Sequence, residues 1–242
     1  MMSASSTWLR RATSNAVSAA CLLLLLLGAW QLAATDNAHE GIWVRLTILA
    51  ILGGFVALGW MRPARVGYTA PQVMLLLGAA GMVAGLALDE RTGGFRALAS
   101  LCQAGSAGFV RTLRLHIELL PATHVGMVVG GLATVPLLRG LRRGCRRQFC
   151  ARLAQNLACS VWMIAGMSAG ALGFLNLAAR AGGRNPTAML GGMFAGMVWG
   201  MVASVGIYRL WFGIQDARAL RLADLSVVKP LDSQVSASPF AD

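Results

Sequence analysis

Polar and apolar residues come in blocks along this chain. They do not alternate at a strand period, and they do not follow a single amphipathic helical period. Six long apolar blocks stand out: Thr13–Thr35, Leu46–Met61, Val66–Leu88, Leu119–Leu138, Leu157–Ala179 and Thr187–Tyr208. None of them contains Asp, Glu, Lys or Arg. A helix of about 20 apolar residues crosses the hydrocarbon layer of a bilayer, so each block predicts a transmembrane helix. The run Leu22–Leu27 alone favours insertion by roughly 3 kcal/mol, at about 0.5 kcal/mol per central Leu. The second block is short. Pro71 suits the first turn of the third helix.

Composition agrees with the pattern. Hydrophobic residues make up 57% of the 242 residues and charged residues only 12%, against about a quarter in soluble domains. The fold class is therefore all-α, a polytopic membrane bundle of about six helices. The five cysteines are too few and too odd in number for a disulfide scaffold.

The basic residues orient the bundle. With the N-terminus inside, Arg10, Arg11, Arg62, Arg65, Arg139, Arg142, Arg143, Arg146, Arg147, Arg152, Arg209, Arg218, Arg221 and Lys229 fall on the inner side. Arg45, Arg91, Arg96, Arg111, Arg114, Arg180 and Arg184 fall outside. The ratio is 14 to 7 in favour of the cytoplasm, as the positive-inside rule expects. Deleting the short second span reverses it to 8 against 13, so the charges support that span better than its own length does. Both termini are then cytoplasmic. Trp30, Trp43, Trp60, Trp162 and Trp211 fall at the two boundaries; Trp199, in the middle of the sixth span, is the exception. Leu32, Ala33 and Ala34 make a poor signal-peptidase site, so the first span is expected to be retained. Arg-rich, Lys-poor usage points to a bacterial inner membrane. The net charge of +12 is accounted for by orientation and anionic lipid headgroups, without nucleic acid, for which no fold motif is present.

Between the third and fourth spans, residues 95–117 carry Phe95, Leu98, Cys102, Phe109, Leu113 and Ile117 at three- and four-residue steps, with one gap at the small residues Gly105 and Ser106. This predicts an amphipathic segment on the outer surface, or an outward extension of the fourth helix as far as the break at Pro121. The loop Arg139–Arg152 reads as a topology determinant against anionic lipid, or a docking site for an acidic partner. From 215 to 242 apolar periodicity fades, and a mostly disordered cytoplasmic tail is expected.

Two constellations remain. Gly192, Gly196 and Gly200 are spaced by four on the sixth helix; Gly166 and Gly170 (with Gly173) and Gly126 and Gly130 repeat the device on the fifth and fourth. Small residues at this spacing let backbones approach closely in lipid. They predict a tight bundle of helices four to six, or association with a second copy or another membrane protein. Beside the glycines runs a Met stripe, Met189, Met193, Met197 and Met201, with Met163 and Met167 on the fifth span. Thioethers suit Cu(I). The histidines, His39, His116 and His124, all map near the outer face. A copper site from His116, His124, Met127, Met189 and Met193 is thus one expectation; a Met-packed core is the other. No Asp, Glu, Lys or Arg lies inside a span, which argues against a proton- or ion-coupled pump. No nucleophile, base and orienting group can be assembled, so catalysis is not expected. The leading expectation is a non-enzymatic scaffold or assembly subunit with no cofactor. Copper handling is the alternative, and a small-solute transporter or channel the third.

Overall fold

A computed structural model describes residues 4–32, 40–61, 71–94, 96–98, 100, 109–141, 149–181 and 186–235. Among these there is no strand. Seven helices follow in order: α1 (Ala4–Leu32), α2 (Glu40–Trp60), α3 (Pro71–Arg91), α4 (Phe109–Leu119), α5 (Pro121–Leu141), α6 (Phe149–Arg180) and α7 (Pro186–Val235). Pro71, Pro121 and Pro186 each open a helix, where the missing N–H costs nothing and the fixed φ is already helical. The protein is an all-α membrane helix bundle. Among the described residues four stretches are long and apolar enough to cross a bilayer: Gly41–Trp60, Pro71–Arg91, Ala154–Arg180 and Pro186–Gln215. α1 and α5 carry shorter apolar stretches, Ala16–Gln31 and Pro121–Leu137.

The second span differs from its expected bounds. It is a full 20-residue apolar helix beginning at Gly41, with the highest mean hydropathy of the four, 2.0. Arg45 made it look short. The side chain is exposed on the second turn of α2, where an arginine's methylene stem lies along the apolar surface and its head reaches for water. α3 likewise runs past Leu88 to include Asp89, Glu90 and Arg91.

Residues 1–205 form one compact unit. Within it α1 packs on α2 and α3, α3 on α5, α5 on α6, and α4 on α5 and α6. The first part of α7 is central. Every residue from Thr187 to Val198 is buried, so this helix is apolar all round because it has neighbours all round. Trp43 of α2 and Phe174 of α6 stack obliquely beside Ala188 of α7. The starts of α2 and α7 and the end of α6 therefore share one end of the bundle. Nine methionines are sealed inside: Met74, Met82, Met127, Met163, Met167, Met189, Met193, Met197 and Met201, none above 2% exposure.

Of the two readings of 95–117, the described residues show a separate helix: α4 begins within that segment and ends at Leu119, Leu120 is not helical, and α5 starts afresh at Pro121. One other expectation changes. The expected disordered tail is instead helical to Val235. Residues 214–229 hold neither Gly nor Pro and are rich in Ala, Leu and Arg, all good helix formers. The described residues from 206 on belong to a second unit, in which Tyr208 stacks on Phe212. His39, most of the Arg139–Arg152 loop, part of 95–117 and residues 236–242 lie outside the described residues.

Candidate functional site

The glycines are the first feature to place. Gly126 of α5 lies so close to α3 that a Cβ there would overlap the Gly81 carbonyl, and a Cβ on Gly81 would overlap the Gly126 carbonyl. Gly130 meets the Leu77 carbonyl, and Gly85 meets the Ala122 carbonyl. As residue numbers rise on α3 they fall on α5, so the pair is antiparallel. α6 and α7 repeat this arrangement. Gly166 abuts Gly196 and Gly200, Gly170 abuts Gly192 and Gly196, and Gly200 abuts the Trp162 carbonyl. The structure thus brings the seven sequence-chosen glycines into two separate pairs, α3·α5 and α6·α7. Sequence reasoning grouped helices four to six and missed Gly78, Gly81 and Gly85 on α3. Their three- and four-residue spacing was the available signal.

Beside the α6·α7 contact lies an open cavity of about 530 Å³, lined by Ala50, Trp162, Gly166, Gly170, Trp199 and Gly200 among others. Every lining residue is Ala, Gly, Phe or Trp. Trp199 forms one wall, and its indole N–H donates to the Ala50 carbonyl on α2 at 3.1 Å. That bond is why a tryptophan sits in mid-span. Its one polar atom is satisfied between helices, and the ring faces the cavity.

The second feature is the junction of α3 with α5. Asp89, at the end of α3, is 4% exposed. Its Oδ1 accepts from the Ala122 N–H at 3.1 Å, and its Oδ2 from the Thr123 N–H and the Thr123 hydroxyl, both at 2.7 Å. A helix start leaves four N–H groups without helical partners. Here Pro121 has none, Ala122 and Thr123 use Asp89, and the His124 N–H reaches the Leu120 carbonyl at 3.2 Å. Leu120, at the N-cap, has no side chain able to cap, and α3 supplies the carboxylate from outside the sequence of α5. Sequence reasoning missed this role. The carboxylate directly after an apolar span was its visible sign. α3 itself stops through Gly93, whose φ of +74° only glycine adopts easily. The Thr92 hydroxyl and N–H both reach the Asp89 carbonyl.

His124 is 7% exposed, and its Nδ1 donates to the Leu120 carbonyl at 2.7 Å. A carbonyl can only accept, so Nδ1 carries a proton. Met127, one turn on, lies against Gly78 of α3 together with Met163 of α6: a Cβ on Gly78 would stand 2.9 Å from Met163 Cε and 3.8 Å from Met127 Cγ. Met189 and Met193 are buried on α7. His116 lies on α4. Among the described residues no three His, Cys, Asp or Glu side chains gather in a way that could hold a metal ion.

Polar bonds also join helices elsewhere. Asn156 Nδ2 of α6 donates to the Gly131 carbonyl of α5 at 3.3 Å, and the Ser204 hydroxyl of α7 donates to Cys159 Sγ of α6 at 3.1 Å. No protein-family model, curated protein or solved structure matches the chain.

Proposed function

We propose that this chain is a non-enzymatic, multi-pass protein of a bacterial inner membrane, acting as a scaffold or assembly subunit. In this reading the open cavity beside α6 and α7 receives a helix of another membrane protein. The observation that carries it is the lining. Four glycines and five alanines around a lateral opening at mid-span offer what close helix packing in lipid needs, small residues and no polar group to desolvate. Trp162 and Trp199, 42% and 46% exposed, would flank the guest helix and supply contact area. The proposal includes six crossings with both termini in the cytoplasm, membrane lipid and another membrane protein as partners, and no nucleic acid. Reporter fusions after residues 90 and 150 should report opposite compartments.

The docking test needs a substitution that fills the cavity without touching the chain's own packing. Gly196 is unsuitable, because its Cβ would strike the Gly166 backbone. Ala169 and Ala203 are exposed at the rim. With Ala169→Leu and Ala203→Leu together, the chain should insert and unfold as before but run without its partner in native electrophoresis. An unchanged complex would overturn the docking reading.

A further inference from the structure

Contacts at one three-helix junction set a register that reaches further than the contacts themselves. Gly78 of α3 touches Met127 of α5 and Met163 of α6. One turn inward come Met74 on α3, Gly131 on α5 and Ser160 on α6. They meet as that register requires: a Cβ on Gly131 would stand 3.2 Å from Ser160 Oγ and 3.4 Å from Met74 Cε. One turn outward, the same step leads to Met82 on α3, Met167 on α6 and, because α5 runs the other way, His124. Residues three or four apart share a helix face. Met82 and Met167 are 0% exposed and His124 is 7% exposed. By helical register alone, the next layer outward from Met127 and Met163 is assigned two thioethers and an imidazole.

We propose that this layer binds one soft monovalent cation of the Cu(I) class through His124 Nε2 and the sulfurs of Met82, Met127 and Met167. Thioether and imidazole donors suit Cu(I) and disfavour hard divalent ions. The His124 ring carries the usual mark of an oriented ligand, with its other nitrogen donating to a backbone carbonyl. A cation among neutral donors in a dry interior also needs a nearby negative charge. Asp89 stands two turns outward from Met82 on the same face of α3, about 10 Å along the axis at 1.5 Å per residue. Its oxygens are occupied by Ala122 and Thr123, so it acts as counter-charge rather than ligand. The donor set shares His124 and Met127 with the sequence expectation. It takes its remaining sulfurs from α3 and α6 in place of Met189 and Met193 of α7. It is also independent of the scaffold reading, since the proposed docking cavity lies against α2, α6 and α7.

The test uses the full chain purified in nanodiscs. Ag(I), a redox-inert stand-in, and Cu(I) held by a chromogenic chelator are titrated separately. One equivalent should bind, and X-ray absorption of the Cu(I) form should show sulfur together with nitrogen donors. Met82→Leu, Met127→Leu and Met167→Leu combined should abolish binding, and His124→Ala should weaken it about 100-fold. Met189→Leu with Met193→Leu should leave it intact. Met-to-Leu changes keep volume, so the fold should persist; the thermal transition checks this. If the wild-type protein leaves the chelator complex untouched, or its absorption spectrum shows no sulfur ligation, the site does not exist. Binding that survives the α3·α5·α6 triple change, or vanishes with the α7 double change, overturns the assignment equally.

Discussion

The α3·α5 and α6·α7 pairs are both antiparallel, and both press glycine against backbone, yet they finish the contact differently. α3·α5 is closed at its end by a charged latch, Asp89 on the first N–H groups of α5. Its third side is sealed by Met127 and Met163 over Gly78. α6·α7 has no such latch among the described residues. It opens sideways into a cavity walled by Trp162 and Trp199. One packing device thus serves two ends. In the first pair it buries a polar junction; in the second it leaves an apolar opening. Small residues alone do not say which, because the outcome depends on what the neighbouring turns carry.

The largest effect should come from crowding the glycines themselves, and it should strike both pairs alike. At Gly126 and Gly196 even the first carbon of a side chain would meet a partner carbonyl, on Gly81 and Gly166 respectively. Backbone cannot swing aside as a side-chain tip can. Gly126→Val and Gly196→Val should each cost about 3 kcal/mol, the upper range for overpacking, in reversible unfolding in mixed micelles followed by circular dichroism. A wild-type transition in either variant would break the comparison, since that pair would no longer depend on close approach.

The latch separates the pairs. Asp89→Ala removes the acceptor for a buried N–H, a part-buried N–H and a buried hydroxyl. Charged acceptors in buried hydrogen bonds are worth about 1.5–3 kcal/mol, and a lost N-cap about 1 kcal/mol. A loss of about 2 to 3 kcal/mol is expected. Hydrogen exchange should speed up at Ala122 and Thr123 while the middle of α6 keeps its protection. Asp89→Asn retains one acceptor oxygen and should lose roughly half as much. Equal exchange changes in α5 and α6 would mean that the latch supports the whole unit and not one pair.

Much of this architecture is written in the chain as blocks. Apolar length marks helices such as α3 and α6 because lipid requires a span to satisfy its own backbone. Glycine spacing marks which faces can approach, but not which helix meets which. That choice depends on three-dimensional register, and so Gly81 facing Gly126 was not legible. Asp89 was hidden for a related reason. Its partners are 33 and 34 positions away, and a cap supplied by another helix leaves no local signature such as Ser or Thr ahead of α5. The methionines were visible as a stripe on the sixth span with two more on the fifth. Their gathering on α3, α5 and α6 follows only from the Gly78 contact. Trp199 looked misplaced because hydropathy does not record an indole N–H reaching a carbonyl across helices.

That tryptophan gives a finer test of the open pair. Trp199→Phe keeps an aromatic wall and deletes the bond to Ala50. Interhelical hydrogen bonds in membranes average about 0.6 kcal/mol, so a loss of that order is expected. The cavity should keep most of its partner affinity in the native complex. A loss several times larger would show that the indole positions α2 against α7 and does more than satisfy its own N–H.

The smallest effect is expected at Gly173, which shares α6 with Gly166 and Gly170 but has nothing within 4 Å of its would-be Cβ. Sequence spacing alone would rank these three glycines together. Physically, Gly173→Ala adds one methyl to an exposed helix face and removes glycine's excess backbone entropy. The intrinsic gain is up to about 1 kcal/mol in an isolated helix, and less where tertiary packing already holds the backbone. A change within about 0.5 kcal/mol, toward greater stability, is therefore expected in the purified monomer. The same substitution should be compared in the native complex. If the monomer is unaffected but the complex weakens, Gly173 extends the docking surface one turn beyond the cavity. If the monomer itself is destabilised by as much as Gly196→Val, open space does not describe this face of α6, and the distinction between its packed and exposed glycines fails.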